Sequence, residues 1–179
     1  SADSKFWPKD ESEVLSFTAF SDNWTGTKNI KDKNNINVGG VKIEGTVADQ
    51  KDMVYVTGAT GTKAANETNG VALTLEHALS QIQISAKSDN TVYTYQVKGI
   101  RISNLDGEAD FNVVNGTWSN NATNDQIYTV EYTTPVTLNG TAQSIMEQKQ
   151  DNGVNYSDNA MLIPQGATTA WNVENDKQN

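Results

Sequence analysis

Along much of the chain apolar and polar residues alternate with period two, the pattern of strands that bury one face. Leu15, Phe17 and Ala19 share one face of a first strand. Val41, Ile43, Gly45 and Val47 share one face of another, with Lys42, Glu44 and Thr46 opposite. Further strands are expected at 53–57, at 71–75 through Val71, Leu73 and Leu75, and at 82–86 through Ile82, Ile84 and Ala86. Between the last two, residues 76–81 (EHALSQ) are long enough for one or two helical turns.

From 91 to 105 the alternation runs long for one strand and changes phase. Tyr93, Tyr95 and Val97 lie on one parity, Ile100 and Ile102 on the other, with Gly99 at the switch. A glycine at a parity change suits a bulge or a crossing between sheets, so a bend is expected there. Asp106-Gly107 reads as a turn, 111–114 as a short apolar strand, and Asn115-Gly116 as a two-residue hairpin returning at Thr117-Trp118. Residues 127–133 alternate cleanly until Pro135, which ends the strand or marks an edge. Residues 141–150 read as a short surface helix or a loop, with Ile145 and Met146 as their only anchors, and 161–163 as a last strand closed by Pro164. Two segments read as surface loops, 22–40 and 58–70. About nine or ten short strands with at most two short helices make an all-β, antiparallel β-sandwich the most economical fold.

Composition agrees with strands and turns. The 179 residues include 21 Asn, 20 Thr and 13 Gly, where a helical protein would be rich in Ala, Glu, Leu and Lys. Lys and Arg number 13 against 22 acids, a formal net charge of -9, and the cations are scattered, so the chain would repel a phosphate backbone. Nucleic-acid binding is thereby excluded. One arginine, Arg101, argues against anion-handling enzymes. The absence of cysteine removes disulfides, thiolate catalysis and thiolate metal sites, and one histidine, His77, removes every constellation needing two imidazoles. No apolar stretch approaches a membrane span, and no signal peptide is visible, so an exported form would already have lost its signal.

Each remaining candidate for chemistry has a plainer reading beside it. His77 could act as a base, but its spacing specifies no nucleophile, and it reads as a structural residue of a helical turn. Asp106, Glu108 and Asp110 have the alternate spacing of a calcium loop, yet fail the full pattern and read as a solvated turn; the Asp/Asn run at 151–158 reads the same way. No catalytic, cofactor-binding or metal-binding residue is assigned. Trp7, Trp24, Trp118 and Trp171 could form a sugar-stacking surface, which keeps a carbohydrate-binding module as the competing reading to a structural protein.

Several segments resemble the fimbrillin-like proteins of the Bacteroidales. They are 71–86 (VALTLEHALSQIQISA), 99–105 (GIRISNL) followed by Gly107, Phe111 and Gly116-Thr117-Trp118, and 160–165 (AMLIPQ). Phe6-Trp7-Pro8 and 15–20 (LSFTAF) are similar to the family's opening. The resemblance implies transthyretin-like, Greek-key sandwich domains in a non-catalytic, lipid-anchored outer-membrane protein of Bacteroides type. Such a protein builds or decorates adhesive fimbriae and meets a host or bacterial surface ligand. Its partners would be other fimbrial subunits joined by strand addition, with the open edge or groove expected near 14–20, and its membrane contact only a lipid anchor outside this chain. The resemblance also implies that residues 1–165 are the N-terminal domain, and 166–179 a polar tail or the start of a linker to a second domain. Some members are cleaved after an arginine to free a groove, but Arg101 falls inside an expected core strand.

Overall fold

A computed structural model describes residues 6–122, 126–146, 148–151, 154–157 and 159–165. The first part of the chain supplies β1 (Leu15–Phe20), β2 (Thr27–Asp32), β3 (Asn35–Lys42) and β4 (Val54–Gly61). A middle run gives β5 (Glu76–His77), β6 (Ser80–Ile82), β7 (Ser85–Ala86) and the long strand β8 (Gln96–Leu105). β9 (Glu108–Asn112), β10 (Thr117–Ala122) and β11 (Gln126–Thr137) follow. Four short strands come last: β12 (Gln143–Ser144), β13 (Gln148–Asp151), β14 (Val154–Ser157) and β15 (Ala160–Leu162). Among the described residues the helical elements are a 3₁₀ turn at Val47–Asp49 and one α-turn, α1 (Lys63–Asn66).

Among the described residues the strand ladders are antiparallel, and an isolated parallel bridge joins Thr46 to Thr129. Three strands form one sheet in the order β1-β4-β5, and four form another in the order β10-β9-β3-β2. The remaining ladders are pairs: β11 with β8, β12 with β7, β13 with β14 and β15 with β6. The last three reveal a common plan. Gln143 and Ser144 oppose Ala86 and Ser85, Ile145 N–H donates to Ile84 O, and Ala160 to Leu162 oppose Ile82 to Ser80. Residues 143–145 and 160–162 therefore follow one descending register along 80–86, and the β13–β14 hairpin is an excursion between them.

The inner faces of these ladders share one core, as an all-β sandwich requires. Val38 and Val41 of β3, Ala109 and Phe111 of β9, Tyr55 of β4, Ile102 of β8, Tyr128 and Val130 of β11 and Leu162 of β15 are buried together. Its centre is aromatic: Phe111 lies 4.8 Å from Trp24, 4.8 Å from Trp118 and 5.0 Å from Tyr55, ring centre to ring centre. Burying such a ring contributes roughly 1.5–3 kcal/mol, so this nucleus fastens β4 to the β9–β10 hairpin.

Several expected elements are corrected, each by a tertiary partner. Residues 76–81 form no helix: Ala78 N–H donates to Met53 O, and the residues on either side belong to β5 and β6. Residues 71–75 form no strand; the chain there has no ladder partner, and Leu73 and Leu75 stand exposed. The segment 22–40 holds β2 and most of β3, joined by the two-residue turn Lys33-Asn34, whose Asn34 N–H donates to Asp32. The segment 58–70 begins inside β4, where Gly58 (φ 69°) takes up the extra residue between Phe17↔Ala59 and Ala19↔Val56, and then forms α1. Within 141–146, Gln143 and Ser144 pair as β12, and Ile145 and Met146 are buried instead of lying on the surface.

Three boundaries also shift. The strand expected at 41–47 begins at Asn35 and stops at Lys42, beyond which Ile43 N–H donates to Gly107 O and Gly45 O accepts from Thr129 N–H. Residues 91–95 precede β8, because Asn90 Oδ1 collects the Val92 and Tyr93 N–H groups into a turn. The β9–β10 connection is a four-residue loop, since Val113 is withdrawn into the core and Asn112 closes on Thr117.

At Gly99 the irregularity lies in the partner strand. Glu131 opposes Gly99 and Val136 opposes Val97, so the surplus residues, Pro135 among them, belong to β11. β8 keeps one partner on both sides of Gly99 and does not cross between sheets. A Cβ on Gly99 would lie 2.5 Å from Val130 O, which makes the glycine the condition for close strand approach. Pro135, unable to donate to a ladder, occupies the bulge.

Candidate functional site: open strand edges

In an antiparallel sandwich, the main-chain donors and acceptors of strands that end a sheet are available to a partner. β1 ends the three-stranded sheet: among the described residues it is laddered to β4 alone. Its side chains explain why it lies there. Leu15, Phe17 and Phe20 are half-buried, Phe17 meets Trp7 edge-on at 6.3 Å, and Phe20 meets Trp24 at 6.4 Å. Leu15 and Phe17 on one face and Phe20 on the other thus anchor the strand, which carries no ionisable side chain from Leu15 to Phe20. This is the strand expected from the sequence to be open to a partner, and the structure places it at a sheet end.

The four-stranded sheet ends in β2 and β10. Every residue of β2 is exposed, and its sequence, TKNIKD, carries Lys28, Lys31 and Asp32 around the apolar Ile30. Lys28 Nζ lies 2.8 Å from Asp22 Oδ1 and 5.9 Å from the Phe20 ring centre. The Asp22 carboxyl is held below its ordinary pKa by the Lys28 hydrogen bond and charge, and Asp32 by hydrogen bonds from Asn35 and Asn34. Charges along an edge oppose pairing with a second neutral strand, because their hydration would be lost. β10 is broken differently: its register slips between Ser119 and Ala122, with Asn120 in the left-handed region (φ 53°).

The other sequence candidates are dispersed. His77 is exposed on β5, its Nδ1 2.7 Å from Asp52 Oδ2, a carboxylate and not a nucleophile for it to activate. Asp106, Glu108 and Asp110 serve separate structural ends. Asp106 N–H donates to Gln165 Oε1, Glu108 lies 3.4 Å from Lys42 Nζ, and Asp110 accepts from Asn120 Nδ2 and Gly40 N–H, each at 2.7 Å. Those two donors, Asn120 foremost, hold the Asp110 carboxyl below its ordinary pKa. Among the described residues no group of three or more His, Asp or Glu side chains could hold a metal ion. The run at 151–158 has its side chains outside the described residues.

Among the described residues the tryptophans form no exposed platform; Trp24 and Trp118 stack on each other at 6.1 Å at the core. Trp24 is buried, Trp118 is half-buried with its Nε1 donating to Ala78 O at 2.7 Å, Trp7 packs on Phe17, and Trp171 lies outside the described residues. Arg101 sits in β8 opposite Thr129, inside a continuous ladder. A polar cleft between Lys42, Glu44, Asp49 and Lys51 has its neutral polar groups spent internally. Thr25 Oγ1 both donates to and accepts from the Lys42 main chain, and Asn23 Nδ2 donates to Asp52 O.

Sequence reasoning missed β2 and the exposure of Leu73 and Leu75. For β2 a signal existed: Asp32-Lys33-Asn34 is turn chemistry, with an Asp side chain capping the N–H two residues on. For the exposure none existed, since alternation there promises a strand whose partner is lacking.

No helix among the described residues is long and apolar enough to cross a membrane. Comparison with curated proteins and with solved structures finds no match. The all-β sandwich with an uncharged strand at a sheet end, together with a match of residues 1–179 to the family described as fimbrillin-like, shows that this chain belongs to the fimbrillin-like family.

Proposed function

We propose that the protein is a non-catalytic structural or adhesive subunit of a cell-surface fimbria, joined to its neighbours by strand addition at β1. The observation that carries this reading is the contrast at the sheet ends: β1 offers six residues without a charge, whereas β2 is charged and fully exposed. Alternate residues of a strand point their N–H and C=O to one edge, so an incoming strand would gain about six main-chain groups along β1. Those bonds would supply affinity, and the half-buried alternation of Leu15, Phe17 and Ala19 would supply register. The family membership supports an appendage at the cell surface in general terms.

The test is assembly of the mature full-length protein, followed by electron microscopy and by amide exchange of residues 15–20. Filaments with newly protected β1 amides are expected. Filaments in which β1 amides exchange as fast as in the free subunit would move the junction elsewhere. A protein that never oligomerises, and whose loss removes no filament from its cell, would overturn the reading.

A further inference from the structure

Four Asn-Gly steps occur in the sequence, and three lie among the described residues: Asn69-Gly70, Asn115-Gly116 and Asn139-Gly140. In such a step the glycine main-chain nitrogen can attack the preceding side-chain amide, since no Cβ hinders its approach. Exposure does not separate the three, because all three asparagines are exposed. Two other features do. The first is whether the attacking N–H is already held. Gly70 N–H donates to Asn66 O at 2.8 Å and Gly116 N–H to Asn112 O at 2.9 Å, whereas Gly140 N–H has no hydrogen-bond partner among the described residues. The second is whether a donor faces the side-chain oxygen, on which negative charge develops as the nitrogen attacks. Asn139 Oδ1 accepts Thr141 N–H at 2.8 Å, and Asn115 Oδ1 accepts Thr117 N–H and Oγ1–H, while among the described residues Asn69 Oδ1 has no such donor. A fixed donor at the developing oxyanion lowers the barrier.

We propose that Asn139 is a site of spontaneous covalent modification, converted to aspartate and isoaspartate through a cyclic imide closed by Gly140. Gly140 N loses its proton to solvent base and bonds to Asn139 Cγ. The tetrahedral centre collapses, the Cγ–Nδ2 bond breaks, and the side-chain nitrogen leaves as ammonia. Water then opens the imide at either carbonyl, so that asparagine and water give aspartate or isoaspartate and ammonia.

The site lies on a seam between two loops, where Ser88 N–H donates to Asn139 O at 2.8 Å and Leu138 N–H to Tyr95 O at 2.9 Å. Isoaspartate lengthens the main chain by one methylene at that seam. Aspartate adds a negative charge beside Asp89, whose Oδ1 lies 3.7 Å from the position of a Cβ on Gly140. The loop so released carries the exposed Val92, Tyr93 and Tyr95.

The experiment incubates the folded full chain at mildly alkaline pH in ¹⁸O-water and follows each Asn-Gly peptide by mass spectrometry, with the urea-unfolded chain alongside. Asn139 is expected to convert at least about fivefold faster than Asn115, the cost of first breaking one hydrogen bond, with Asn69 slowest. In urea the three rates converge. Gly140→Ala, which meets only ordinary contact and has no positive φ to strain, should slow Asn139 alone. Native-state conversion of Asn115 or Asn69 at the rate of Asn139 would overturn the proposal, as would an unchanged rate in Gly140→Ala.

Discussion

β1 and β2 both end a sheet, and they meet solvent with opposite chemistry. β1 reads LSFTAF, half-buried except at Ser16 and uncharged; β2 reads TKNIKD, exposed throughout, with Lys28 tied to Asp22 and Asp32 capping its own turn. Each leaves the same kind of main-chain group unpaired, so the backbone cannot tell the two apart. The side chains decide which edge can be covered: lysine at an edge keeps its hydration only while no strand lies against it. Strand-edge chemistry is therefore a property of sequence that acts only after topology has placed the strand last in its sheet.

The largest effect expected from this contrast is on assembly. Ser16→Lys puts a charge on an exposed position of β1, so folding stability should move by less than about 0.5 kcal/mol. Oligomers seen by sedimentation should nevertheless disappear. The converse, Lys28→Ser with Lys31→Ser, should make β2 adhesive and raise association. Unchanged assembly in both variants would remove the distinction between the edges.

Next in size is Phe111→Ala, which empties the aromatic nucleus shared by the two sheets and should cost about 3–5 kcal/mol in urea unfolding. Amide protection should fall together in the β1–β4 and β2–β3 ladders. Loosening of only one ladder would show that the two edges belong to independently stable units.

Alkali acts on the core beneath both edges. Burial foremost, with the Asp106 charge second, pushes the Tyr128 hydroxyl up to about 12, and that hydroxyl has no partner among the described residues. A folded pKa above the unfolded value of about 10 means that the native state holds its proton more tightly. That stability is complete below about pH 10 and lost as pH rises toward 12, up to about 3 kcal/mol. Tyr128→Phe should abolish the alkaline loss and fold at least as well at neutral pH, since it removes an orphaned polar group. Denaturant midpoints against pH would check both.

Acid should produce the smallest effect and separate the edges again. Asp22, Asp32 and Asp110, all serving the four-stranded sheet, are held below their ordinary pKa, so they stabilise the native state above the unfolded value. Their contribution is lost as pH falls through the folded pKa values. β1 has no ionisable group. Amide exchange at falling pH should loosen β2–β3 before β1–β4.

Much of the sheet framework was legible because strand alternation is local. The pattern of Leu15, Phe17 and Ala19 marked β1; Pro135 does not end its strand but lies in the bulge of β11, and the irregularity expected at Gly99 falls in that partner strand. What failed did so wherever a partner overruled local preference. Residues 76–81 favour a helical turn in isolation, but Met53 O and β15 take their main chain as strand. Val71, Leu73 and Leu75 alternate perfectly and remain unpaired for want of a neighbour.

The sequence by itself determined the fold class, the absence of thiol and paired-imidazole chemistry, and which strands carry charge, because each is set by residue identity or by spacing within a few positions. Only the tertiary structure decided, among the described residues, which strands end a sheet, which tryptophans are core, and which Asn-Gly nitrogens are already held by an acceptor. Those depend on pairings between residues tens of positions apart, where each main-chain group takes the acceptor that packing brings to it.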